Sequence, residues 1–387
     1  MGFIGFTLVM PFLPLYLQQL GVTDTGAIAL WAGATLGVTP AISALCSPFW
    51  GRVGDRFGNK VLVQRSLLGG IVILILMGLA TQAWQLFALR AIQGLIAGYG
   101  PLTLAMAAGS APRDGMARAI ATVQTAQRLG PAIGPVVGGV LAASTGLRSV
   151  FFIAAGVYAV ASLIMAVLYV ESREHGTVVH RERLPFRTIL AFDNFLLLMA
   201  VIFGLQLVDK SFGPILLLHL GEIGFSPADA AVLAGLLFSL LACAGAGGNQ
   251  LAAMLLKRMT PRALLDLAVL TSAAALAAFA LRAEAWVMLA AMSLFGIGIG
   301  VAVTTAFTAA GSVVPQHAHS AGFGFLGSAS LIGFAISPIL AGMIAGRSIQ
   351  AVFFAGVAVL LVMAVIVRRL MVERHAQVES APAVDAS

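Results

Sequence analysis

The stretch Gly51–Lys60, with the sequence GRVGDRFGNK, joins two long apolar runs at residues 29–50 and 61–80. Each run is long enough to cross the hydrocarbon core of a bilayer as a helix, which takes about 20 mainly apolar residues. Glycines within the stretch permit a tight turn and a close approach between helices. The stretch therefore predicts a short basic turn that connects two membrane-spanning helices.

The composition extends this interpretation to the whole chain. Of the 387 residues, 60% are hydrophobic and only 10% are charged, and the mean hydropathy is +1.01. A soluble domain is usually about 45–50% apolar and about 25% charged, so the composition excludes a soluble enzyme. We predict an all-α integral membrane protein of twelve transmembrane helices in two six-helix repeats. The spans are expected near residues 1–20, 29–50, 61–80, 86–110, 117–145, 148–170, 195–220, 228–256, 263–281, 286–312, 320–345 and 349–370.

The Lys and Arg residues are distributed unevenly between the two sides of these predicted helices. Of the 22, sixteen lie in one set of loops and in the C-terminal tail, three in the opposite loops and three within spans. Loops rich in Lys and Arg face the cytoplasm. We therefore expect a multi-pass protein of the cytoplasmic (inner) membrane, with both termini and the turn 51–60 in the cytoplasm.

A shift of 202 positions superposes the two halves of the chain. Residues 83–84 (AW) fall on residues 285–286 (AW), and residues 150–152 (VFF) fall on residues 352–354 (VFF). Two repeated six-helix halves are typical of transporters that bind substrate near the midplane between the halves. The predicted domains are an N-terminal bundle at 1–170, a central cytoplasmic loop at 171–190, a C-terminal bundle at 191–370 and a disordered cytoplasmic tail at 371–387.

Three motifs resemble those of a known family. The turn 51–60 resembles the signature G-x-x-x-D-R-x-G-x-[RK] of the major facilitator superfamily, and departs from it at Asn59, where a second cation is common. Residues 86–94, LFALRAIQG, look like the second signature, L-x-x-x-R-x-x-Q-G. Residues 130–139, GPAIGPVVGG, match the signature of superfamily antiporters. The chain thus resembles the twelve-helix drug:proton antiporters, close to bacterial multidrug and tetracycline exporters.

This resemblance implies the family's fold, proton coupling, lipophilic substrates and alternating access. It also implies roles for particular residues. Arg90 would take part in proton transfer, with Gln93 about one turn deeper. The turn would help to lock a cytoplasmic gate, and its gate motif comprises Gly51, Asp55, Arg56, Gly58 and Lys60.

The antiporter motif allows two interpretations. Its residues are Gly130, Gly134, Pro135, Gly138 and Gly139. Glycines that recur every four residues make a smooth helix face on which another helix can pack closely. In the antiporters that the chain resembles, this helix packs against the other half and influences which side leaks. The alternative is a packing surface with no directional role.

The predicted seventh span carries the main candidate for the proton site. Asp209 is the only acid well inside a predicted span, and Gln206 lies one turn before it. Lys210 is adjacent to Asp209, and neighbouring residues on a helix point about 100° apart, so we expect the two side chains not to face each other. Asp209 either exchanges protons or forms a structural ion pair with a cation on another helix, such as Arg90.

Other side chains have simpler interpretations. Arg128 is expected to snorkel toward the headgroups. His219 is expected to be a polar anchor at the outer interface, and His319 to be solvated in a cytoplasmic loop. An aromatic, drug-tolerant cavity would draw on Phe3, Phe6, Phe12, Phe203, Phe212 and Phe295.

We therefore predict a monomeric secondary transporter that exports lipophilic or amphipathic small molecules in exchange for protons. Neither a metal nor a cofactor is expected, since the proton gradient is the driving force, and the expected surroundings are membrane lipid rather than nucleic acid. The sequence contains no Walker motif, which argues against ATP-driven transport. Two alternatives stay open: a sugar or metabolite exporter of the same superfamily, and a transport-inactive receptor or scaffold.

Overall fold

The computed structural model describes residues 8–9, 13–23, 25–112, 115–169, 185–225, 227–281, 284–345 and 347–372. Within these ranges the regular secondary structure is helical throughout, which confirms the all-α prediction. Most of the predicted central loop and the predicted tail from residue 373 onward lie outside the described residues. So do Phe3, Phe6 and Phe12, three members of the predicted aromatic cavity.

The first half follows the predicted spans with one break. The span predicted at 86–110 consists of two helices, which are separated by Ala97 and Gly98. Gly98 has a φ of 136°, a conformation that glycine adopts without the strain of a side chain. The described helices are α1 (Leu13–Gln19), α2 (Thr25–Phe57), α3 (Asn59–Gly78), α4 (Ala83–Ile96), α5 (Tyr99–Ser110), α6 (Met116–Thr145) and α7 (Leu147–Leu168).

The second half contains a similar break in the span predicted at 195–220, at Lys210 and Ser211. Two of its helices begin at capping side chains, because Thr260 accepts a hydrogen bond from the Ala263 N–H and Ser348 from the Ala351 N–H, both at 3.3 Å. The described helices are α8 (Phe186–Leu190), α9 (Phe195–Asp209), α10 (Phe212–Glu222), α11 (Pro227–Leu255), α12 (Pro261–Ala280), α13 (Ala285–Val313), α14 (His319–Ala345) and α15 (Ile349–Leu370), with a 3₁₀ turn at Gln316–Ala318.

Nine helical segments among the described residues are long and apolar enough to cross a membrane. The shorter apolar helix α9 is interrupted before α10 continues the seventh predicted span. The predicted spans at 1–20, 117–145 and 195–220 are not among the nine, although helices are described in each of them. The count of twelve therefore stays a prediction.

A close helix contact recurs in both halves at equivalent positions. A Cβ added to Gly94 would lie 2.8 Å from the Thr39 carbonyl oxygen, and a Cβ added to Gly296 would lie 2.8 Å from the Leu241 carbonyl oxygen. Both residues of the second pair are shifted by 202 positions from the first. The offset found in the sequence therefore relates two backbone contacts that are equivalent in space.

The buried apolar side chains form one large cluster in each half. The cluster of the second half continues into α5 and α6 of the first half, through residues such as Leu104 and Ile120. Phe212 and Phe295 are each 1% exposed and pack ring to ring, with centroids 5.2 Å apart. These two rings belong to the packed core, so the prediction that they line a drug cavity is wrong.

Two adjacent glycines on α11 have different surroundings. A Cβ on Gly248 would overlap the Ile297 carbonyl oxygen of α13, whereas a Cβ on Gly247 meets nothing within 4 Å. Gly248 therefore allows two helix backbones to touch, and Gly247 has no such constraint.

We predict that Gly248→Val destabilises the protein by about 1–3 kcal/mol, the usual effect of forcing extra atoms into a packed contact. The matched control is Gly247→Val, which makes the same chemical change one residue away in open space. Thermal unfolding of both variants in detergent measures the difference. Equal unfolding temperatures would show that the α11–α13 contact does not depend on a glycine.

Candidate functional site

The end of α2 meets the start of α14 at the interface between the halves. The two carboxylate oxygens of Asp55 accept hydrogen bonds from the backbone N–H groups of Ser320 and Ala321, both at 2.9 Å. These N–H groups belong to the first turn of α14, where a helix has no internal partners for them and where its dipole favours a negative charge. Asp55 therefore caps a helix that belongs to the other half.

Glycines bring this carboxylate within reach of its partners. A Cβ on Gly51 would overlap the carbonyl oxygen of Ser320, so only a glycine lets the two backbones come so close. Gly58 precedes α3 with a φ of 94°, a backbone conformation that disfavours other residues. Three residues of the gate motif thus have a direct structural role: Gly51 at the contact, Asp55 as the cap and Gly58 in the turn.

Two cations of the gate motif contact groups of the first half. The Lys60 ammonium donates to the Ala166 carbonyl oxygen at 3.0 Å, and the Arg56 guanidinium lies 4.9 Å from the centre of the Phe57 ring.

Arg52 reaches the other half instead, although sequence analysis did not select it. Its guanidinium lies 3.3 Å from the centre of the Phe186 ring on α8, a cation–π contact. Phe186 in turn packs edge-on against Phe325 of α14, with ring centroids 5.1 Å apart. The signal for this contact was weak, because the phenylalanine lies 134 positions away in the predicted loop.

Polar side chains form a second link between the halves, where α6 meets α11 and α13. The Thr304 hydroxyl donates to the Gln124 side-chain oxygen at 2.6 Å. The Thr125 hydroxyl donates to the Ala246 carbonyl oxygen at 3.2 Å and accepts from the Gln250 amide at 3.1 Å. Such bonds between membrane helices contribute about 0.6–2 kcal/mol each. This link between the halves therefore depends on several weak hydrogen bonds rather than on one strong bond.

Asp209 lies next to this link and is 4% exposed. One carboxylate oxygen is 3.9 Å from the Arg128 guanidinium of the first half, and the other is 2.6 Å from the Lys210 ammonium. The expectation that Arg128 snorkels to the headgroups is wrong, because its guanidinium faces the buried acid. The Arg128–Asp209 ion pair therefore links the two halves electrostatically.

The expected separation of Asp209 and Lys210 is also wrong. The helix α9 ends at Asp209, and Lys210 lies in the turn before α10. The long lysine side chain can fold back onto its neighbour there, since no continuing helix fixes its direction. Gln206, the third predicted residue of this helix, donates to the Ser330 hydroxyl of α14 at 2.6 Å.

Arg90 and Gln93 belong to a separate group within the first half. Arg90 is 2% exposed, donates to the Thr35 carbonyl oxygen at 3.2 Å and to the Gln93 side-chain oxygen at 2.7 Å. The Thr39 hydroxyl donates to the Arg90 carbonyl oxygen at 2.8 Å. The structure thus does not join Arg90 to Asp209, and the interhelical cation beside Asp209 is Arg128.

One glycine of the antiporter motif, Gly138, lies at a close backbone contact within its own half, which leaves both interpretations of the motif open. A Cβ on Gly138 would overlap the Leu8 carbonyl oxygen, so this glycine faces the first predicted span of its own half. Gly130 and Gly134 are buried, while nothing is described of the side chain of Pro135 or of the surroundings of Gly139. The helix α6 reaches the other half through earlier residues, Gln124 to Arg128.

Two histidines lie in surroundings that sequence analysis did not predict. His219 is fully buried between Phe279 and Phe353, with ring centroids 5.6 and 4.7 Å away, and is not an interfacial anchor. His319 is 5% exposed, and its Nε2 lies 2.9 Å from the Val314 carbonyl oxygen, so it is not solvated. Among the described residues, no group of three or more His, Cys, Asp or Glu is placed to hold a metal.

Comparison with known proteins gives curated relatives over part of the chain. The multidrug resistance protein MdtG of Citrobacter koseri is 38% identical over 240 residues, which cover 61% of this chain and 59% of that protein. MdtG of Serratia proteamaculans is 37% identical over 241 residues, covering 61% and 58%. The chain thus aligns with less than two thirds of the length of these relatives.

Solved structures with the same fold match almost the whole chain. The human organic anion transporter MFSD10 (TETRAN) has a TM-score of 0.78 at 18% identity, covering 95% of this chain and 96% of that one. A bacterial homologue of the iron transporter ferroportin, in an outward-facing state, has a TM-score of 0.74 at 13% identity, covering 96% and 97%. At such identities the likeness shows the fold alone.

The family model named Major Facilitator Superfamily matches residues 1–325 and residues 199–386, so the two matches together span the chain. Together with the nine long apolar helices in the described part of the chain, this match supports a multi-pass protein of the inner membrane. The chain belongs to the Major Facilitator Superfamily, a family of membrane transporters rather than enzymes.

Proposed function

We propose that the chain is a secondary active transporter that exports lipophilic or amphipathic small molecules in exchange for protons. The name of its relatives, multidrug resistance protein, supports this class of substrate. The observation that carries the coupling is the buried ion pair of Asp209 with Arg128, because the two residues belong to different halves. A proton that neutralises Asp209 would act directly on the contact that alternating access must break.

The proton acts through the charge of the pair. A buried ion pair is stable only while both charges are present, since removing one leaves the other uncompensated in a medium of low dielectric constant. Protonated Asp209 would hold Arg128 and Lys210 less strongly, which favours separation of the halves at this level. Arg90, buried beside Gln93, is the proposed participant in proton transfer from the first half.

The gate motif would lock the same side of the molecule. Asp55 and Gly51 close the contact of α2 with α14, and the distribution of Lys and Arg supports a cytoplasmic position for this end. The described conformation would then be closed toward the cytoplasm, with both termini on that side. A monomer would be sufficient, because both members of each contact belong to one chain.

The first test is a drug-susceptibility panel in an efflux-deficient host, run with and without a protonophore. We expect resistance to several lipophilic compounds that the protonophore abolishes. A response confined to sugars or other polar metabolites would favour the metabolite exporter, and no transport of any compound would favour the receptor or scaffold.

We predict that Asp209→Asn abolishes uphill export but leaves some substrate binding, because asparagine keeps the size of aspartate and cannot titrate. Efflux from inverted membrane vesicles under an imposed pH gradient measures the effect. The double variant Asp209→Asn with Arg128→Gln removes both charges of the interhelical pair and should stay inactive. If this double variant regains proton-driven export, Asp209 serves only to neutralise Arg128 and the proton is carried elsewhere.

We predict that Asp55→Asn inserts normally but exports poorly. The amide can accept only one of the two backbone hydrogen bonds, and a bond to a charged group contributes about 1.5–3 kcal/mol, or about 10- to 150-fold in the closing equilibrium. The matched control is Asp266→Asn, since Asp266 pairs with Arg368 at 2.7 Å within the second half. Efflux at equal membrane abundance compares them, and wild-type rates in Asp55→Asn would refute the gate.

A further inference from the structure

A groove of ≈ 910 Å³ opens on the surface of the first half, between α3, α4 and α7. It lies away from the interface of the halves. Most of its lining is apolar and includes Leu68 and Val72, which are 50% and 57% exposed. Lys60 and Arg65 line the groove near the start of α3. The groove therefore combines a basic end with an apolar track along one helix.

Arg65 belongs to α3, one of the helices that are long and apolar enough to cross a membrane. It is the seventh residue of α3, so it lies roughly 9 Å along the helix from its first residue. Its guanidinium stacks 3.4 Å from the centre of the Trp50 ring and donates to the Ile96 carbonyl oxygen at 2.8 Å. A charge within a membrane span is costly unless it is paired or reaches water, and such residues commonly mark a binding site.

The described part of the protein does not neutralise this charge. No carboxylate in that part forms an ion pair with Arg65. Its Nε is buried and has no hydrogen-bond partner among the described residues. The site thus combines a partly buried arginine that has no carboxylate partner among the described residues, a second cation and an open apolar track.

We propose that this groove binds an anionic phospholipid, with the phosphate between Lys60 and Arg65 and one acyl chain along Leu68 and Val72. The two parts of the groove match the two parts of the lipid in charge and polarity. The distribution of Lys and Arg puts this end of α3 in the cytoplasmic leaflet, where basic pockets between membrane helices bind anionic headgroups.

The lipid would act on the structure through Trp50. The face of the Trp50 indole stacks against the Arg65 guanidinium, and the indole N–H donates to the Leu95 carbonyl oxygen at 2.7 Å. Trp50 immediately precedes Gly51, the glycine at the contact with Ser320. A phosphate that orders Arg65 therefore holds Trp50 between α3 and α4, next to the helix end that carries the gate motif.

The test uses the full-length chain, purified, delipidated and titrated with phosphatidylglycerol or with phosphatidylcholine of the same acyl chains, with bound lipid counted by native mass spectrometry. We expect the wild type to prefer phosphatidylglycerol about thirtyfold, the factor given by about 1 kcal/mol for each of Lys60 and Arg65. Arg65→Gln should lower this preference to about fivefold, and Arg65→Lys should keep most of it. The matched control Arg369→Gln removes one exposed arginine from α15 and should behave like the wild type.

A second pair of variants tests the apolar track without changing any charge. Val72→Trp fills the track and should reduce binding of phosphatidylglycerol, whereas Val365→Trp adds the same bulk to α15 at a residue of nearly equal exposure, 57% against 58%. A phosphatidylglycerol preference that stays at the wild-type value in both Arg65→Gln and Val72→Trp would overturn the proposal. A wild type without preference that gains one when Glu171 and Glu174 are changed to Gln would also overturn it, because an acid of the chain would then occupy the site.

Discussion

The halves of this protein must be held together without the force that holds soluble domains together. Lipid tails are as apolar as the helix surfaces, so hydrophobic burial does not drive membrane helices against one another. Close backbone contact and polar bonds have to do so instead. The contact of α2 with α14 uses both, because Gly51 removes the side chain that would separate the backbones and Asp55 then reaches the N–H groups of Ser320 and Ala321. The links of α6 with α11 and α13 use the same kind of interaction, polar bonds between closely packed helices.

The repeated fold makes the asymmetry of its contacts informative. The position equivalent to Gly51 is Ala253, which packs against Ala117 and Ala121 at the start of α6. Two equivalent pairs of helix ends therefore meet between the halves. One contact is capped by a carboxylate, and the other is a contact of alanine methyl groups, with Lys257 at the position of Asp55. The fold needs the approach of the helices, which both contacts supply. Of the two contacts, only that of Asp55 has a charge whose hydrogen bonds can form and break, as a gate requires.

Sequence analysis could predict the features that depend on local pattern. Runs of apolar residues predict the helices. The gate motif identifies Asp55, because an acid in a glycine-rich turn can be recognised from a stretch of ten residues. The partner of Asp209 could not be found in this way. Arg128 is 81 positions away, and the pairing depends on the relative alignment of two helices from different halves. The burial of His219 also depends on contacts that are distant in sequence, since a histidine near a predicted span end becomes buried only when Phe279 and Phe353 pack around it.

The two interhelical links differ in the work that opening each of them requires. The Asp55 cap is made of two hydrogen bonds to a side chain that remains partly exposed, so water can replace its partners as the helix ends separate. The Arg128–Asp209 pair joins a side chain that is 1% exposed to one that is 16% exposed, so the cost of removing one of its charges lies below the about 3–5 kcal/mol of a fully buried pair. Moving a two-state equilibrium from 1:99 to 99:1 takes about 5.5 kcal/mol, so a change of charge at this pair would supply only part of the free energy needed to switch the molecule. In the proposed transport cycle, the partly exposed cap is better suited to setting how fast the closed state forms, and the buried pair to coupling that state to a proton.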